Sequence, residues 1–303
     1  MVKQSIQFPN KDYQMAGIRF TPDNFDDSKK YPAIVVVHPG GGVKEQTVAL
    51  YAEAMAKFGF ITLAFDASYQ GESGGLPRYL EDPASRVEDV SCAVDALVAD
   101  KNVDANRIGV LGVCAGGGYA INSSLFERRI KAVATVSAVD INGLFRAVFG
   151  DNPIPALQGF MAQAGEQRTA EAQGADLMTI PYVPNSTDEF TEQTPEYAKE
   201  AYDYYRTPRA MCPTAPNKML MRSVPKIFAF DAFSQVPTMQ MQPILLIAGD
   251  KADTAYLSEN LMKQIAHQNK ELYWVKDATH VSLYDYDVPK AMPKLGEFFQ
   301  KNL

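Results

Sequence analysis

Leu111-Gly112-Val113-Cys114-Ala115-Gly116-Gly117-Gly118 is the stretch that decides the fold. The run before it, Arg107-Ile108-Gly109-Val110-Leu111-Gly112, is short, branched and apolar, which predicts a buried parallel strand. Gly116 to Phe126 predicts a helix. A tight turn that carries a nucleophile between a strand and a helix, with small residues two before and two after it, is a nucleophile elbow; here cysteine stands where serine is usual. The glycines fit because so sharp a turn leaves no room for a Cβ on either side. At average glycine usage a cysteine flanked in this way arises by chance about once in 200 cases. The chain has only three cysteines, Cys92, Cys114 and Cys212. The competing reading of Cys114 is a small buried hydrophobe, the usual fate of a free cysteine. It conflicts with a turn that aims the side chain out of the end of the sheet.

Working outward, the same alternation extends on both sides. Residues 4 to 20 alternate loosely and predict a strand pair at the sheet edge. Ala33-Ile34-Val35-Val36-Val37 is apolar on both faces and predicts a central strand. It runs into the glycine-rich loop His38-Pro39-Gly40-Gly41-Gly42, whose free backbone N–H groups could receive an anion. The plain alternative for that loop is a tight strand-to-helix connection. A phosphate-binding loop does not fit, because the Gly-Lys-Ser/Thr ending is missing. A helix over Gln46 to Phe58, capped by Gly59, leads to a strand over Phe60 to Phe65. Asp82-Pro83 starts a helix with an apolar stripe at Val87, Val90, Val94, Leu97 and Val98, with Cys92 off it. Arg129 to Ser137 supplies the strand after the elbow helix.

From about Asp140 to about Gln242 the rhythm stops. No clean strand is predicted there, and short helical patches such as Thr194 to Arg206 sit among prolines, methionines and aromatics. So long a segment is too large for a plain loop and predicts an inserted cap. Tyr197, Tyr202, Tyr204, Tyr205, Phe228, Phe230 and Phe233 could line a pocket there or merely pin the cap to the sheet. The alternation resumes with a strand over Pro243 to Gly249, a helix over Ser258 to Gln268, a strand over Glu271 to Val275 and a closing helix. The expected architecture is α/β: a mostly parallel, doubly wound sheet over residues 1–140 and 243–303, with a largely helical cap over residues 141–242.

Composition narrows the function classes. In 303 residues, 46% are hydrophobic and 21% charged, which is ordinary for a globular chain with a full core. A net charge of -7 argues against a nucleic-acid partner. No signal-peptide core and no run of 18 apolar residues occurs, so a soluble cytoplasmic protein without a membrane partner is expected. The cysteines are widely spaced with no CxxC pair, so neither a disulfide framework nor a zinc site is expected, and no metal or organic cofactor is implied. The oligomeric state is open, with a homodimer among the options.

The elbow pattern occurs twice on paper. Gly71-Glu72-Ser73-Gly74-Gly75 also satisfies it, but Gly71 does not follow a strand directly and Gly75-Leu76-Pro77 does not start a helix. Ser73 is therefore rejected as nucleophile. Cys114 needs a base, since an unperturbed thiol is only a few per cent ionised at neutral pH. A helix N-terminus favours the thiolate as well. Of three histidines, His267 falls within a predicted helix facing solvent, and His38 is better placed to buttress the glycine loop. His280 follows the last strand and gives the order nucleophile, acid, base. The acid is Asp253, with Asp250 and Asp140 as alternatives; each could equally be a turn aspartate.

Gly-Val-Cys-Ala-Gly-Gly followed by Gly-Tyr-Ala, with His-Pro-Gly-Gly-Gly upstream and Ala-Thr-His near the end, resembles the dienelactone-hydrolase-like branch of the α/β-hydrolase superfamily. The resemblance covers most of the chain outside the cap. It implies a triad of Cys114, Asp253 or Asp250, and His280, with oxyanion donors from the backbone at Ala115 and at Gly41 or Gly42. Dienelactone hydrolases proper lack so large an insertion, so the resemblance speaks to reaction class rather than substrate. The expected activity is hydrolysis of a small-molecule ester, lactone or thioester through an acyl-cysteine. The competing expectations are acyl transfer on the same residues, and a non-catalytic ligand binder or thiol redox sensor.

Overall fold

A computed structural model describes residues 1–147 and 154–303. Its centre is an eight-stranded sheet in the order β1-β2-β4-β3-β5-β6-β9-β10. The strands are β1 (Lys3–Asn10), β2 (Tyr13–Phe20), β3 (Tyr31–Val37), β4 (Ile61–Phe65), β5 (Val103–Val113), β6 (Ile130–Val136), β9 (Ile244–Gly249) and β10 (Lys270–Val275). The first two form an antiparallel hairpin, and β2 pairs antiparallel with β4; every other pairing is parallel. The expected mostly parallel, doubly wound α/β sheet with an edge hairpin is thus present.

Two helix pairs cover the sheet: α1 (Thr47–Lys57) with α10 (Val288–Asn302), and α2 (Pro83–Ala99) with α3 (Ala115–Phe126). They lie on opposite faces. Side chains three apart on a strand point to opposite sides, and on β5 Gly109 faces the Phe299 ring of α10 while Gly112 faces the start of α3. The helices α1 and α3 also follow the sequence boundaries closely, with Gly59 at φ +98° just past the end of α1. Where expectations miss, the cause is local. The helix α9 runs Ala255–Gln264, earlier than predicted, so His267 lies in the half-buried loop after it rather than on a helix. On α2, Val98 is exposed rather than part of the buried stripe.

Between β6 and β9 the described chain forms α4 (Ile141–Ala147), α5 (Ile154–Ala172), α6 (Glu196–Arg206), α7 (Ser223–Ala229) and α8 (Val236–Met239). It also forms one short antiparallel pair, β7 (Thr179–Ile180) with β8 (Met219–Leu220), which periodicity over two residues could not reveal. None of these strands joins the main sheet. Residues 148–153 of the expected cap lie outside the described residues.

Parallel strand order places the site. Loops at the carboxyl ends of β3, β5, β9 and β10 lie side by side at one edge of the sheet. Val37 is level with Gly112 across β3 and β5, so the glycine loop after β3 stands beside the turn after β5. Val275 is level with Gly249 across β10 and β9, so the two loops that follow also meet.

Candidate active site

Cys114 sits between β5 and α3 with φ +55° and ψ -124°, a left-handed conformation that costs on the order of 1–3 kcal/mol for a residue with a side chain. The backbone around it is fully committed. Its N–H donates to Val136 O at 3.0 Å, and its carbonyl accepts from Gly117 and Val139 at 2.8 and 3.1 Å. A Cβ on Gly112 would lie 2.2 Å from Gly116 O, and one on Gly116 would lie 2.2 Å from Val37 O. Both expected glycine requirements are met by backbone atoms that cannot yield.

Burial pushes the Cys114 thiol up, opposed by its hydrogen bond with the Tyr284 hydroxyl and by the N–H groups of Ala115 and Gly40. The helix N-terminus does not win, and the resting group is a neutral thiol. Ala115 is an expected oxyanion donor. In the glycine loop the N–H that reaches the sulfur is that of Gly40, one residue before the expected pair. Gly42 N–H is spent on Pro39 O at 3.2 Å, closing a turn, and Gly41 at φ +71° packs under the Tyr182 ring. The turn takes up the N–H of Gly42 and leaves that of Gly40 at the sulfur.

That loop is held by buried charge. His38 Nδ1–H donates to Pro39 O at 2.7 Å, and Nε2 accepts from Ala67 N–H at 3.0 Å, so the ring is a neutral buttress, as its position suggested. Burial and the nearby Arg86 keep it neutral. Arg86 donates to His38 O at 2.6 Å and lies 3.8 Å from Glu81, which accepts the hydroxyls of Tyr119 and Tyr182 at 2.6 and 2.7 Å. At the loop's far end Lys44 bridges Asp66 and Glu72 at 2.8 and 2.7 Å.

The base side is built differently. His280 is buried, and burial pulls its imidazole down to about 4, so it is neutral at physiological pH. Its Nδ1 lies 2.5 Å from Thr254 Oγ1, and its Nε2 lies 3.1 Å from the Tyr284 hydroxyl. Neither expected aspartate takes the imidazole. Asp253 is exposed and accepts from Tyr197 N–H at 3.0 Å; Asp250 is exposed and accepts from Asp277 N–H at 2.8 Å. The loop after β9 turns Asp253 outward and its neighbour Thr254 inward. Asp140 serves α4 instead, accepting from Asn142 and Gly143 N–H at 3.3 and 3.4 Å. The His280 loop can cross the end of β9 because Gly249 has no side chain; a Cβ there would lie 2.1 Å from Ala278 O.

Around the sulfur lies a narrow cleft of about 70 Å³, walled by Ile141, Leu144, Phe145, Val183 and the rings of Tyr182, Tyr197 and Tyr205. Of the seven expected aromatics only Tyr197 and Tyr205 line it. Tyr204 packs behind Tyr284, Tyr202 against Phe190, Phe230 against Tyr119 and Phe228 against Phe145. Phe233 is buried in the core. No Lys, Arg, Asp or Glu side chain is among the described lining residues. Among the described residues no three His, Cys, Asp or Glu side chains are grouped to hold a metal ion, and no helix is long and apolar enough to cross a membrane.

A cysteine in a strained turn after β5, a glycine loop after the neighbouring β3 and a histidine loop after β10 have the layout of the α/β-hydrolase fold. Residues 15–138 match the dienelactone hydrolase family, and the chain belongs to that family. It is 38% identical to protein YcjY of Escherichia coli K12 over the whole of both chains. The crystal structure of protein PA2218 from Pseudomonas aeruginosa superposes with a TM-score of 0.91 at 32% identity, covering all of this chain and 94% of that one. The thiohydrolase aneE of Aspergillus aculeatus is 31% identical over 50% of this chain and 48% of its own length.

Proposed function

We propose that the protein is a cysteine-dependent hydrolase that cleaves a carboxylic ester, lactone or thioester through an acyl-Cys114 intermediate. The observation that carries this reading is the convergence on one strained cysteine of two backbone N–H groups and a hydroxyl, at the wall of an apolar cleft. In the reaction Cys114 attacks the carbonyl carbon while Ala115 and Gly40 N–H hold the developing oxyanion. Each such donor is worth roughly 100- to 1000-fold in rate. His280 takes the thiol proton, returns a proton to the leaving group, and later activates water for release of the acyl group.

The cleft sets the acyl group. With no Lys, Arg, Asp or Glu side chain among its described lining residues and a neutral imidazole in its wall, it favours an uncharged, apolar acyl chain, because a carboxylate there would lose its water without gaining a partner. Eight of the fourteen lining residues come from residues 141–242, which supports their role as a cap that selects the acyl group. The thiohydrolase relative supports a thioester as one form of substrate. A thiol redox sensor is disfavoured, since such cysteines are accessible and of low pKa, whereas Cys114 is buried with its thiol pushed up.

The test is a panel of esters, lactones and thioesters of neutral acids assayed on wild type and Cys114→Ala, with product analysis in the presence of alcohol, amine and thiol acceptors. Loss of at least about a thousandfold in kcat/KM is expected for the variant. Full activity in Cys114→Ala removes the acyl-cysteine mechanism, and acylated acceptor as the main product converts the reading to acyl transfer.

A further inference from the structure

We propose that Tyr284 is a catalytic residue, its hydroxyl carrying the proton between the Cys114 thiol and the His280 imidazole. The proposal rests on the acyl-cysteine reading above and adds a group that the sequence motif does not contain.

Geometry places the hydroxyl between the two. His280 Nε2 lies 3.1 Å from the Tyr284 oxygen, and the same hydroxyl is hydrogen-bonded to the Cys114 thiol. It touches the reacting atom. Its placement is also rigid. Thr279 and Ser282 exchange reciprocal bonds, Thr279 N–H to Ser282 Oγ at 2.8 Å and Ser282 N–H to Thr279 Oγ1 at 3.0 Å. They fix the 3₁₀ turn Ser282–Tyr284, which sets Tyr284 on the same side as His280 four residues earlier. Asp287 accepts from Ser282 Oγ at 2.5 Å, and Arg209 clamps Asp285 with bonds of 2.8 and 2.6 Å. The Tyr284 ring is packed edge-on against Tyr204 and Tyr205, with centroids 5.2 and 6.3 Å away.

The proton chain then has one consistent direction. A tyrosine hydroxyl has one hydrogen, so if it donates to Nε2 its oxygen accepts the thiol S–H. Nε2 is then the bare nitrogen, and Nδ1–H donates to Thr254 Oγ1. As the C–S bond forms, the carbonyl π pair moves onto oxygen, the thiol proton passes to Tyr284, and the Tyr284 proton passes to Nε2. The products are a tetrahedral oxyanion and an imidazolium, with no atom or electron unaccounted for. When the intermediate collapses, the same protons run back and one protonates the departing oxygen or sulfur.

Thr254 gives this relay its character. A hydroxyl stabilises an imidazolium less than a carboxylate does, so the proton is held briefly and handed on readily. That makes His280 a weak base and a strong acid, suited to a leaving group that must be protonated as it departs.

The experiment is stopped-flow acylation of Tyr284→Phe, which keeps the packed ring and removes only the hydroxyl. We expect acylation to slow about 100-fold or more, with substrate KM changed little and the thermal midpoint close to wild type. Acylation within about threefold of wild type overturns the relay. In that case Cys114→Ala remains inactive if only the relay is wrong, whereas activity in Cys114→Ala overturns both readings. A second measurement needs no variant: the rate of wild-type acylation in mixtures of H₂O and D₂O. Two protons moving in one step give a bowed dependence on deuterium fraction, and a straight line, the mark of one proton passing directly from sulfur to nitrogen, overturns the proposal.

Discussion

Gly71 to Gly75 and Gly112 to Gly116 carry the same pattern of glycine, any residue, hydroxyl or thiol, any residue, glycine, and they do opposite things with the central side chain. Ser73 is turned inward, its hydroxyl donating to Asp66 O at 2.6 Å and accepting from Ala16 N–H at 2.9 Å. It is a cross-brace between β2 and the loop after β4. Cys114 is held in a left-handed conformation that turns its sulfur toward the cleft, and its own backbone bonds are satisfied by β6 and α3. The difference lies in the elements on either side. A strand running directly into a helix aims the middle residue outward; a loop without them lets it fold back onto the backbone.

The two stretches are separated most sharply by adding one methyl group. In Gly112→Ala the new Cβ would sit 2.2 Å from Gly116 O and close to other backbone of the turn, so neither a rotamer change nor a neighbouring side chain can relieve it. We expect a loss of about 3 kcal/mol or more of stability in urea denaturation, together with loss of turnover as Cys114 is displaced. A variant with wild-type stability and activity would show that the tight elbow is not what positions the sulfur.

How much of this was readable in the chain follows from range. The elbow, the buttressing His38 and the placement of His280 after the last strand are set by residues adjacent in sequence, and periodicity with turn chemistry displays them. The partner of His280 is not. Asp253 and Thr254 are neighbours, and which of them faces the imidazole depends on the rotation of one loop, a matter of about one residue that no pattern records. The N–H of Gly40 rather than that of Gly42 faces the sulfur for the same reason, since the Pro39–Gly42 bond closes the turn and consumes the later N–H. Tyr284 left only the faint signal of an aromatic four residues after the histidine. The short β7 and β8 pair and the lining of the cleft arise from contacts between distant segments of the cap, where neither helical nor strand period is sustained.

The base side offers the next test, because the elbow matters only if an imidazole serves it. His280 accepts a proton only when neutral, and burial holds it at about 4, so kcat/KM should fall as pH drops through about 4 rather than through the ordinary histidine range. Thr254→Asp places a carboxylate at Nδ1, where it stabilises the imidazolium and raises that value. The acid limb of the pH profile should move upward by about one unit or more, so that activity at pH 5 drops relative to pH 7. An acid limb that stays put would mean that His280 is not the titrating base, and the contrast with Ser73 would lose half its basis.

Ser73→Ala is expected to do least to turnover, and for a reason that can be followed atom by atom. The substitution strands Ala16 N–H and leaves Asp66 O without its donor, both in a buried setting, which costs about 1–2 kcal/mol of stability. Asp66 nevertheless keeps its carboxylate bonds to Lys44 and to the N–H groups of Lys44 and Glu72, so the brace below the glycine loop survives. The Gly40 N–H therefore stays in place beside Cys114, and kcat/KM should remain within about threefold of wild type, since surface and brace residues away from the reacting atoms act through stability alone. A hundredfold fall in kcat/KM at unchanged stability would instead make Ser73 part of the chemistry, and the pattern without its strand and helix would have to count as a nucleophile after all.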